Sequence, residues 1–496
     1  MSTGISAVRA LSLTQLDQLN SGVSLPRYRR DALGPGIVHF GPGNFHRVHQ
    51  AVYLDALMNT GQDLDWGVVG ASVMPGDKAL RQTLLAQDLL TTVVAQSASD
   101  RNARVIAPMI DYLPVADSTA ILSALVDPQI RIVSLTVTEG GYFIDSETGR
   151  FNDQHPAIQA DVNNPLEPKT VFGLIVRALA LRHEQGVGPF TVMSCDNLPH
   201  NGGVTRAAVL GMAQLLASAI ADWIELNVSF PNGMVDRIAP ATGDRERQLV
   251  RDEYGIADNA PVFCENYLQW VLEDKFVAGR PALEKVGVQF VEDVTPYETM
   301  KVRILNGGHA LIAYAAGLMD IEFGSDAMQE PLIRQFLGRV EREEILPIVP
   351  PVPNTDLSAY LGLILTRFAN PRIGDTVRRL CFDGSNRQPK FIVPTVRDQL
   401  ANGGSVDGLA LACALWCRYC YGTTESGTEI EPNDPSWDRL KRVAAESKTR
   451  PVAWLEMRDV YGDLSECEHF AARFVAALDS LWQDGTRVTL GQYLGR

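Results

Sequence analysis

The stretch Gly36-Ile-Val-His-Phe-Gly-Pro-Gly-Asn-Phe-His46 decides the fold. Its apolar first half predicts a buried strand, and its second half is a glycine-rich turn that leads into a helix. Such a strand–turn–helix exposes backbone N–H groups where a pyrophosphate can bind. Gly41 permits the tight turn, and Gly43 lets the backbone approach the phosphate. The candidate cofactor-binding residues of the turn are Gly41, Pro42, Gly43, Asn44, Phe45 and His46.

The third position of the usual Gly-x-Gly-x-x-Gly fingerprint is His46 in this chain. The packing of the helix on the strand must therefore differ from the usual arrangement. Asp77 lies just beyond a second apolar run, residues 67–73. A carboxylate there can bind both ribose hydroxyls and repel a 2′-phosphate, which favours NAD over NADP. A solvated loop aspartate is the alternative.

Length and composition describe an ordinary globular protein of more than one domain. The chain has 496 residues, of which 46% are hydrophobic and 21% charged, so two or three domains are expected. The net charge of −15 argues against nucleic acid or an anionic membrane as a partner. Residues 1–35 lack the pattern of a signal peptide, and no run reaches about 18 apolar residues. Seven scattered cysteines fit a reducing compartment, so a cytoplasmic protein is expected.

Three of the cysteines stand at helical spacing. Cys413, Cys417 and Cys420 repeat as i, i+4 and i+7, as small core residues of a helix do. Cys417 and Cys420 also form a C-x-x-C pair, but no second pair and no histidine pair stands at zinc-finger spacing. The pattern predicts a buried stripe, and no metal site is predicted.

Apolar runs alternate with helical patterns from residue 36 to about residue 240. The runs rich in β-branched residues are 36–40, 66–73, 90–95, 131–138 and 190–194, and helical patterns such as 51–58 and 171–182 separate them. This alternation predicts an α/β fold with a mostly parallel sheet, a doubly wound domain of the Rossmann type. After Pro296 helical periodicity dominates, which predicts a largely α-helical C-terminal domain. The expected domains are residues 1–290 and 291–496.

Two of these runs, and a further short run at residues 234–235, are followed by polar residues, namely Glu139, Asn197 and Asp236. In open α/β sheets, ligands collect at the carboxyl ends of the strands. These three residues are therefore candidates for a ligand pocket. The alternative is that polar residues collect there because turns begin there.

A lysine, a carboxamide and an imidazole stand close together in Lys301-Val-Arg-Ile-Leu-Asn-Gly-Gly-His309. Oxidation of a secondary alcohol needs a base for the hydroxyl proton and donors for the transient alkoxide. Lys301 can be the base, and Asn306 and Asn197 are uncharged donors. His309 would share a helical face with Asn306 and could bind a second hydroxyl. The two glycines indicate the close approach of another group; a surface lysine and an N-capping asparagine are the alternative.

Several stretches together resemble the signatures of the mannitol dehydrogenase family. They are Gly41-Pro-Gly-Asn-Phe-His-Arg47, Thr136-Val-Thr-Glu-Gly-Gly-Tyr142, Ser194-Cys-Asp-Asn-Leu-Pro-His-Asn201, Trp270-Val-Leu-Glu-Asp-Lys-Phe276, the segment 301–309 and Pro389-Lys-Phe-Ile-Val-Pro394. The resemblance implies a zinc-independent, NAD-dependent polyol dehydrogenase that oxidises D-mannitol reversibly to D-fructose. D-Arabinitol and D-glucitol are the alternative polyols. It also implies a small polyol or ketose as the substrate, and a monomer or weak homo-oligomer.

The resemblance assigns the chemistry to five residues. Lys301 matches the catalytic base of the family. Asn197 and Asn306 match the pair of side chains that polarises the reacting oxygen. His309 matches a residue that orients the substrate, and Glu298 matches a carboxylate that assists the passage of the proton to solvent.

The resemblance also assigns residues that select the ligands. Glu139, Asp236 and Arg379 align with positions that contact the polyol, and Asp77 matches the acid that selects NAD. One departure concerns Arg387, since the family commonly has lysine at that position. Arginine forms a planar fork with two parallel N–H groups, so it is not a neutral replacement for lysine.

Four other classes compete with this interpretation. Tyr297-Glu-Thr-Met-Lys301 fits the Tyr-x-x-x-Lys spacing of short-chain dehydrogenases, but no serine stands at the expected distance before Tyr297. Zinc-dependent alcohol dehydrogenases are disfavoured because no Cys/His ligand set is clustered. An NAD-binding sensor without turnover would not need the lysine. Within the family, a hexuronate reductase is the alternative, because Arg379 or Arg387 could bind a substrate carboxylate.

Overall fold

The computed structural model describes residues 8–20, 22–145 and 149–496. The chain divides between Val294 and Thr295 into two compact units. The first unit mixes strands and helices, whereas the regular structure of the second is helical. Within the described ranges, none of the helices combines the length and the apolar content of a bilayer-spanning segment.

The first unit contains strands and helices in alternation. Its strands are β1 Arg9–Ala10, β2 Val23–Ser24, β3 Pro35–Phe40, β4 Gly67–Ala71, β5 Thr91–Gln96, β6 Arg101–Ile106, β7 Met109–Tyr112, β8 Ile132–Leu135, β9 Thr191–Ser194, β10 Gly233–Asp236, β11 Ile256–Ala257, β12 Val262–Glu265, β13 Gln269–Glu273 and β14 Gln289–Val291. Its helices are α1 Asn44–Val48, α2 Gln50–Met58, α3 Lys78–Leu85, α4 Ser118–Val126, α5 Pro156–Asn163, α6 Val171–Glu184, α7 Asn201–Leu216, α8 Ser218–Asn227 and α9 Asp244–Tyr254. Short 3₁₀ turns occupy Leu13–Gln18, Arg30–Ala32, Pro75–Asp77, Glu139–Tyr142 and Leu283–Val286.

The centre of the first unit is a sheet with the strand order β7-β4-β3-β8-β9. Each neighbouring pair of strands in it is parallel. The sheet grows from β3 through β4 to β7 in one direction, and then from β8 to β9 in the other. A doubly wound sheet of this order has a crevice at the carboxyl ends of β3 and β8, where the direction changes. The predicted Rossmann-type fold class is confirmed.

Side chains of β3 alternate between the two faces of this sheet. Ile37 packs in an apolar cluster that includes side chains of α2. Val38 and Phe40 pack in a second cluster, which includes side chains of α6. Burial of each such side chain contributes about 1.5–3 kcal/mol to stability. Because both faces are covered, the strand appears in the sequence as a continuous apolar run.

Two of the predicted runs form strands outside the parallel sheet. The run 90–95 becomes β5, which pairs antiparallel with β6 and parallel with β12. The strand that ends at Asp236, β10, pairs antiparallel with β13. The expectation that these runs join the parallel sheet is wrong. A short turn after β5, in which Ser97 N donates to Asp100 O at 2.9 Å, returns the chain at once, and such a local antiparallel partner costs little loop entropy.

The second unit is made of helices of several kinds. Its α-helices are α10 Thr295–Met300, α11 Gly307–Leu318, α12 Gly324–Ala327, α13 Pro331–Val340, α14 Leu357–Phe368, α15 Val377–Leu380, α16 Gly384–Phe391, α17 Val393–Ala401, α18 Asp407–Cys420, α19 Trp437–Ser447, α20 Arg458–Tyr461, α21 Glu468–Gln483 and α22 Gly485–Tyr493. Short 3₁₀ turns occupy Leu346–Ile348, Pro371–Ile373, Pro451–Trp454 and Leu464–Glu466. Two segments, Lys301–Asn306 and Glu341–Ile345, are π-helical.

The most deeply buried helix of the second unit is α18, in which residues 408–420 are all buried. Its Trp416 contacts Trp454 edge-to-face, with ring centroids 4.8 Å apart. The thiols of Cys413, Cys417 and Cys420 are free and buried, and burial raises the pKa of Cys413 to about 12. The prediction of a buried cysteine stripe is confirmed.

Candidate active site

The glycine-rich turn joins β3 to α1 at the crevice of the parallel sheet. Gly41 has φ of +86°, and a Cβ atom there would lie 2.2 Å from the carbonyl oxygen of Thr136, which follows β8. Only glycine fits such a backbone and such a close approach. A Cβ atom on Gly43 would meet only the Gly41 oxygen, at 3.8 Å. The backbone of Gly43 is therefore open to the approach of a ligand, whereas the backbone of Gly41 packs tightly against Thr136.

A stacked pair of imidazoles replaces the third glycine of the fingerprint. The rings of His39 on β3 and His46 on α1 lie 3.6 Å apart at 22°. The His39 ring also forms hydrogen bonds with Ser134 Oγ at 2.7 Å and with Thr136 Oγ1 at 2.9 Å. Burial lowers the pKa of His39 to about 3, so the ring is uncharged at neutral pH. Ring stacking between His39 and His46 therefore holds α1 against β3. In the usual fingerprint a glycine stands at the position of His46 and lets the helix and the strand pack closely.

The remaining residues of the turn hold α1 in place. Pro42 lies against β4, 3.4 Å from where a Cβ atom of Gly70 would stand. The side chain of Asn44 accepts a hydrogen bond from Arg47 at 2.9 Å. The ring of Phe45 stacks on that of His49 with centroids 5.1 Å apart.

Asp77 ends the 3₁₀ segment Pro75–Asp77, which follows β4, the strand next to β3. It is near Tyr112, whose hydroxyl lies 2.8 Å from Ser72 Oγ. Burial raises the pKa of Tyr112, and the Asp77 carboxylate adds to that rise. Because β4 and β3 are neighbours in the sheet, the acid and the glycine turn occupy the same edge of the first unit.

Asp196 joins the two loops that carry Glu139 and Asn197. Its carboxylate accepts hydrogen bonds from the backbone N–H groups of Val137 and Thr138, each at 3.0 Å. It also accepts one from the hydroxyl of Tyr142 at 2.7 Å. Asn197 is the next residue in the chain and Glu139 follows Thr138, and both are exposed. The structure therefore brings these two predicted residues to one edge, after the neighbouring strands β8 and β9.

The backbone of Thr138 is strained, with φ of 64° and ψ of 165°. A threonine adopts this conformation only when its surroundings hold it there, at a cost of about 1–3 kcal/mol. The hydrogen bond from its N–H to Asp196 supplies part of that restraint. The sequence pattern does not single out Asp196, although it directly precedes Asn197 after a strand.

Asp236 occupies a different setting from the other strand-end residues. It is 4% exposed and ends β10, which is not part of the parallel sheet. Asn201 ties the start of β10 to the end of β9, because its side chain accepts from the N–H of Gly233 and donates to the carbonyls of Gly233 and Ser194. Asp236 therefore lies at the end of a strand, as predicted, but that strand pairs antiparallel with β13 and is not part of the parallel sheet.

In the second unit, Lys301 is buried rather than solvated. It is 6% exposed, and Glu298, on the preceding turn, is 8% exposed. Lys301 begins the π-helical segment and Asn306 ends it. Because a π-helix pairs residues five apart, Asn306 stands about one turn above Lys301. The α-helix α11 begins at Gly307, directly after the π-helical segment, and the burial of Lys301 rules out the alternative of a surface lysine.

The π-helical segment is anchored to its neighbours. Arg303 forms an ion pair with Asp398 of α17 at 2.6 Å. The hydroxyl of Tyr297, which stands in the Tyr-x-x-x-Lys spacing, donates to the carbonyl of Pro353 at 3.2 Å. Insertions of π-helix are frequent at functional sites, and this one holds the lysine and a carboxamide whose Oδ1, on Asn306, has no hydrogen-bond partner among the described residues.

His309 is an uncharged imidazole among arginines. Its ring stacks on Phe368 of α14, with centroids 4.0 Å apart and an angle of 17°. Burial chiefly lowers the pKa of His309 well below its ordinary range. Three guanidinium groups lower it further, those of Arg379, Arg367 and Arg387. A neutral imidazole can both donate to and accept from hydroxyl groups.

The predicted pair Arg379 and Arg387 is thus brought near His309. The guanidinium of Arg379 forms a two-pronged ion pair with Asp375. That of Arg387 donates to the carbonyls of Arg379 and Leu380, at 3.4 and 3.3 Å, and so caps the last turn of α15. Arg367 and Phe368 were missed, because no motif in the sequence around α14 distinguishes them from a core helix.

Metal-ligating side chains are dispersed in the part of the chain that the structure describes. Across residues 8–20, 22–145 and 149–496, no group of three or more His, Cys, Asp or Glu side chains is arranged to hold a metal ion.

Two models of protein families match the chain. The mannitol dehydrogenase Rossmann domain matches residues 35–285, and the mannitol dehydrogenase C-terminal domain matches residues 293–482. Among the curated relatives, the mannitol 2-dehydrogenase of Cereibacter sphaeroides is 56% identical over 477 residues, which are 96% of this chain and 100% of that protein.

Solved structures of similar proteins cover both units. The Pseudomonas fluorescens mannitol 2-dehydrogenase, in a ternary complex with NAD and D-mannitol, is 42% identical, with a TM-score of 0.88 over 98% of this chain and 100% of that chain. A D-sorbitol dehydrogenase in substrate-free form is 34% identical, with a TM-score of 0.90 over 97% of this chain and 100% of that chain. The resemblance found in the sequence motifs is confirmed, and the chain belongs to the mannitol dehydrogenase family.

Proposed function

We propose that the protein is an NAD-dependent dehydrogenase that interconverts D-mannitol and D-fructose. The observation that carries the proposal is the segment in which buried Lys301 stands about one π-helical turn below Asn306 and is followed by uncharged His309. A relative that is 56% identical over nearly the whole chain is a mannitol 2-dehydrogenase. A second relative was solved with NAD and D-mannitol.

The residues of the first unit fit NAD. The turn after β3 leaves the backbone of Gly43 open, where a Cβ atom would otherwise stand, and Asp77 follows the neighbouring strand. Gly43 and the N–H groups beside it would hold the pyrophosphate, and Asp77 would hold the ribose hydroxyls. When bound, NAD supplies the acceptor for the hydride that leaves the alcohol carbon.

The protein's own side chains handle the proton and the oxygen. Lys301, in its neutral form, takes the proton of the reacting hydroxyl. The carboxamide N–H groups of Asn306 and Asn197 donate to the oxygen as its negative charge develops, and they do not protonate it. Glu298 then accepts the proton from Lys301 and passes it to solvent. In the direction of fructose reduction the same groups act in reverse order.

Other side chains orient the polyol. His309 pairs with a second hydroxyl, and Glu139, Asp236, Arg379 and Arg387 contact the remaining ones. The three guanidinium groups around His309 favour one second candidate, the reduction of a hexuronate, because arginines bind carboxylates well. Against that candidate, Arg379 is already paired with Asp375 and Arg387 with backbone carbonyls.

Initial rates on a panel of substrates test the proposal. With NAD or NADH, we expect kcat/KM for D-mannitol and D-fructose to exceed those for D-arabinitol, D-glucitol and fructuronate. A preference for fructuronate of about tenfold or more, equivalent to about 1.4 kcal/mol, would identify a uronate reductase instead. NAD binding without turnover of any member of the panel would indicate a sensor.

The choice of cofactor depends on Asp77. We expect Asp77→Ala to lower the ratio of kcat/KM for NAD to that for NADP by about tenfold or more, because it removes an anion that repels the 2′-phosphate. Lys78→Ala, the matched control one residue on, should shift the ratio the other way by removing a cation. Wild-type protein that uses both cofactors equally well would show that Asp77 is not the selective acid.

We place the reaction in the cytoplasm and expect a monomer or weak homo-oligomer. The seven cysteines are free thiols, and six of them are buried, which fits a reducing compartment. Size-exclusion chromatography with light scattering over a range of protein concentrations measures the association.

A further inference from the structure

Glu341 is a buried acid beside the segment that carries His309. Its side chain is fully buried, and neither carboxyl oxygen has a hydrogen-bond partner among the described residues. It begins the second π-helical segment, Glu341–Ile345. A buried polar group without a partner costs stability, so its presence here suggests a function.

Gly308 is the point at which Glu341 meets the active-site helix. A Cβ atom on Gly308 would lie 3.0 Å from Glu341 Oε1, 3.2 Å from Phe368 Cε2 and 3.5 Å from Leu337 Cδ1. The carboxyl group and the phenyl ring therefore adjoin in one notch over the glycine. The same Phe368 ring also stacks on the imidazole of His309, the residue proposed to bind the polyol.

We propose that Glu341 is a positioning residue of the polyol site, which fills the notch over Gly308 and thereby fixes Phe368 and the His309 ring stacked on it. The inference rests on the proposed role of His309 in binding the polyol. It also explains the glycine, since any side chain at residue 308 would displace Glu341 or Phe368. The close approach that the two glycines indicated is thus made by a carboxyl group and an aromatic ring.

Glu341 performs this role in its uncharged form. Burial alone raises its pKa well above the ordinary 4.5, and no charged group contributes to the rise. Charged groups on the packed elements have other partners: Arg303 pairs with Asp398, Arg339 with Glu343, Arg342 with the Gly338 carbonyl, and Glu344 with the N–H groups of Gly408 and Leu409. The other titratable or charged groups nearby are Lys301 on the first π-helical segment, His309 and Tyr314 on α11, and Arg367 next to Phe368 on α14. A carboxylate in the notch would favour the protonated imidazole of His309, so an uncharged acid preserves the neutral ring.

Substitutions at Glu341 test the inference through the polyol KM. We expect E341A to raise the KM for D-mannitol by about tenfold or more, because the cavity lets the Phe368–His309 stack shift. E341Q keeps the volume without a charge and should stay within about threefold of wild type. The Kd for NADH should not change in either variant. An E341A enzyme with unchanged KM, or an E341Q enzyme as impaired as E341A, would overturn the proposal.

The two adjacent glycines provide a matched pair of controls. A Cβ atom on Gly307 has its nearest neighbour at 3.6 Å, so G307A should fold and bind polyol like wild type. G308A should raise the polyol KM at least as much as E341A. If G307A and G308A had the same KM for the polyol, the proposed contact over Gly308 would be contradicted, whatever the melting temperatures of the two variants.

Two further measurements separate this inference from the proposed function. If Glu341 acts through His309, E341A should add nothing to the KM of an H309A enzyme, whereas independent effects would multiply. An unchanged KM in H309A itself would refute the role of His309. An altered KM in H309A with an unchanged KM in E341A would refute only the role of Glu341.

The pH dependence gives an independent readout of the uncharged acid. A raised pKa in the folded state stabilises the protein below the ordinary carboxyl pKa, and this stability is lost as the pH rises towards the folded pKa. Wild type should therefore lose stability and polyol affinity relative to E341Q as the pH rises. Parallel profiles for wild type and E341Q would show that Glu341 carries no titrating proton in the folded protein.

Discussion

Replacement of Lys301 by alanine is expected to lower kcat for D-mannitol oxidation by about 10²–10⁴-fold, the usual contribution of a general base. The lysine is buried at the start of the π-helical segment, with 6% of its surface exposed, so bulk water is a poor substitute for its amino group as the proton acceptor. The Kd for NAD should not change, because the residues proposed to hold NAD belong to the first unit. Initial rates and titration of NADH fluorescence measure the two quantities separately.

Tyr297→Phe is the control for Lys301→Ala. Tyr297 shares the Tyr-x-x-x-Lys spacing with Lys301, but its hydroxyl donates to the Pro353 carbonyl, so its loss should leave kcat nearly unchanged. A comparable loss in this variant would support the short-chain mechanism. If Lys301→Ala kept more than about a tenth of the wild-type kcat, the loss would be smaller than the usual contribution of a general base. That result would show that Lys301 is not the base.

The two glycines of the β3–α1 turn should differ sharply when each is replaced by alanine. Gly41→Ala places a methyl group 2.2 Å from the Thr136 carbonyl oxygen, at φ of +86°. We expect the free energy of unfolding to fall by about 2–4 kcal/mol, since an unfavourable backbone and a steric clash add together. Denaturant unfolding of the variant and the wild type measures the difference.

Gly43→Ala should fold normally and bind NAD poorly. Its φ is −76°, and its methyl group would have no neighbour nearer than 3.8 Å. The methyl group would occupy the space in which we place the pyrophosphate, so we expect the Kd for NADH to rise by about tenfold or more, a loss of at least about 1.4 kcal/mol. Wild-type NADH affinity in this variant would show that the phosphate does not approach Gly43, and wild-type stability of Gly41→Ala would show that the turn tolerates a side chain.

Local patterns were sufficient for the parallel core of the first unit. The strand around Val38 is buried on both faces, so a continuous apolar run followed by glycines had one consistent interpretation. The same reasoning failed for residues 90–95, because apolar β-branched residues suit any buried strand and do not specify a partner. The antiparallel pairing of β5 with β6 depends on the turn between them. Strand β7 at the edge of the parallel sheet is not among the predicted runs, because it is short and partly polar.

Within the candidate site, sequence and structure determined different things. The sequence by itself determined which chemical groups are available and their order: the glycine turn, the acid after the second strand, and the Lys301, Asn306 and His309 series. Only the tertiary structure decided that Lys301 is buried, that the segment is π-helical, and that His309 is uncharged. It also revealed Asp196, Phe368 and Glu341. The physical reason is that motif residues are adjacent along one chain segment, whereas burial, ring stacking and the approach of a carboxyl group to Gly308 depend on residues far apart in sequence.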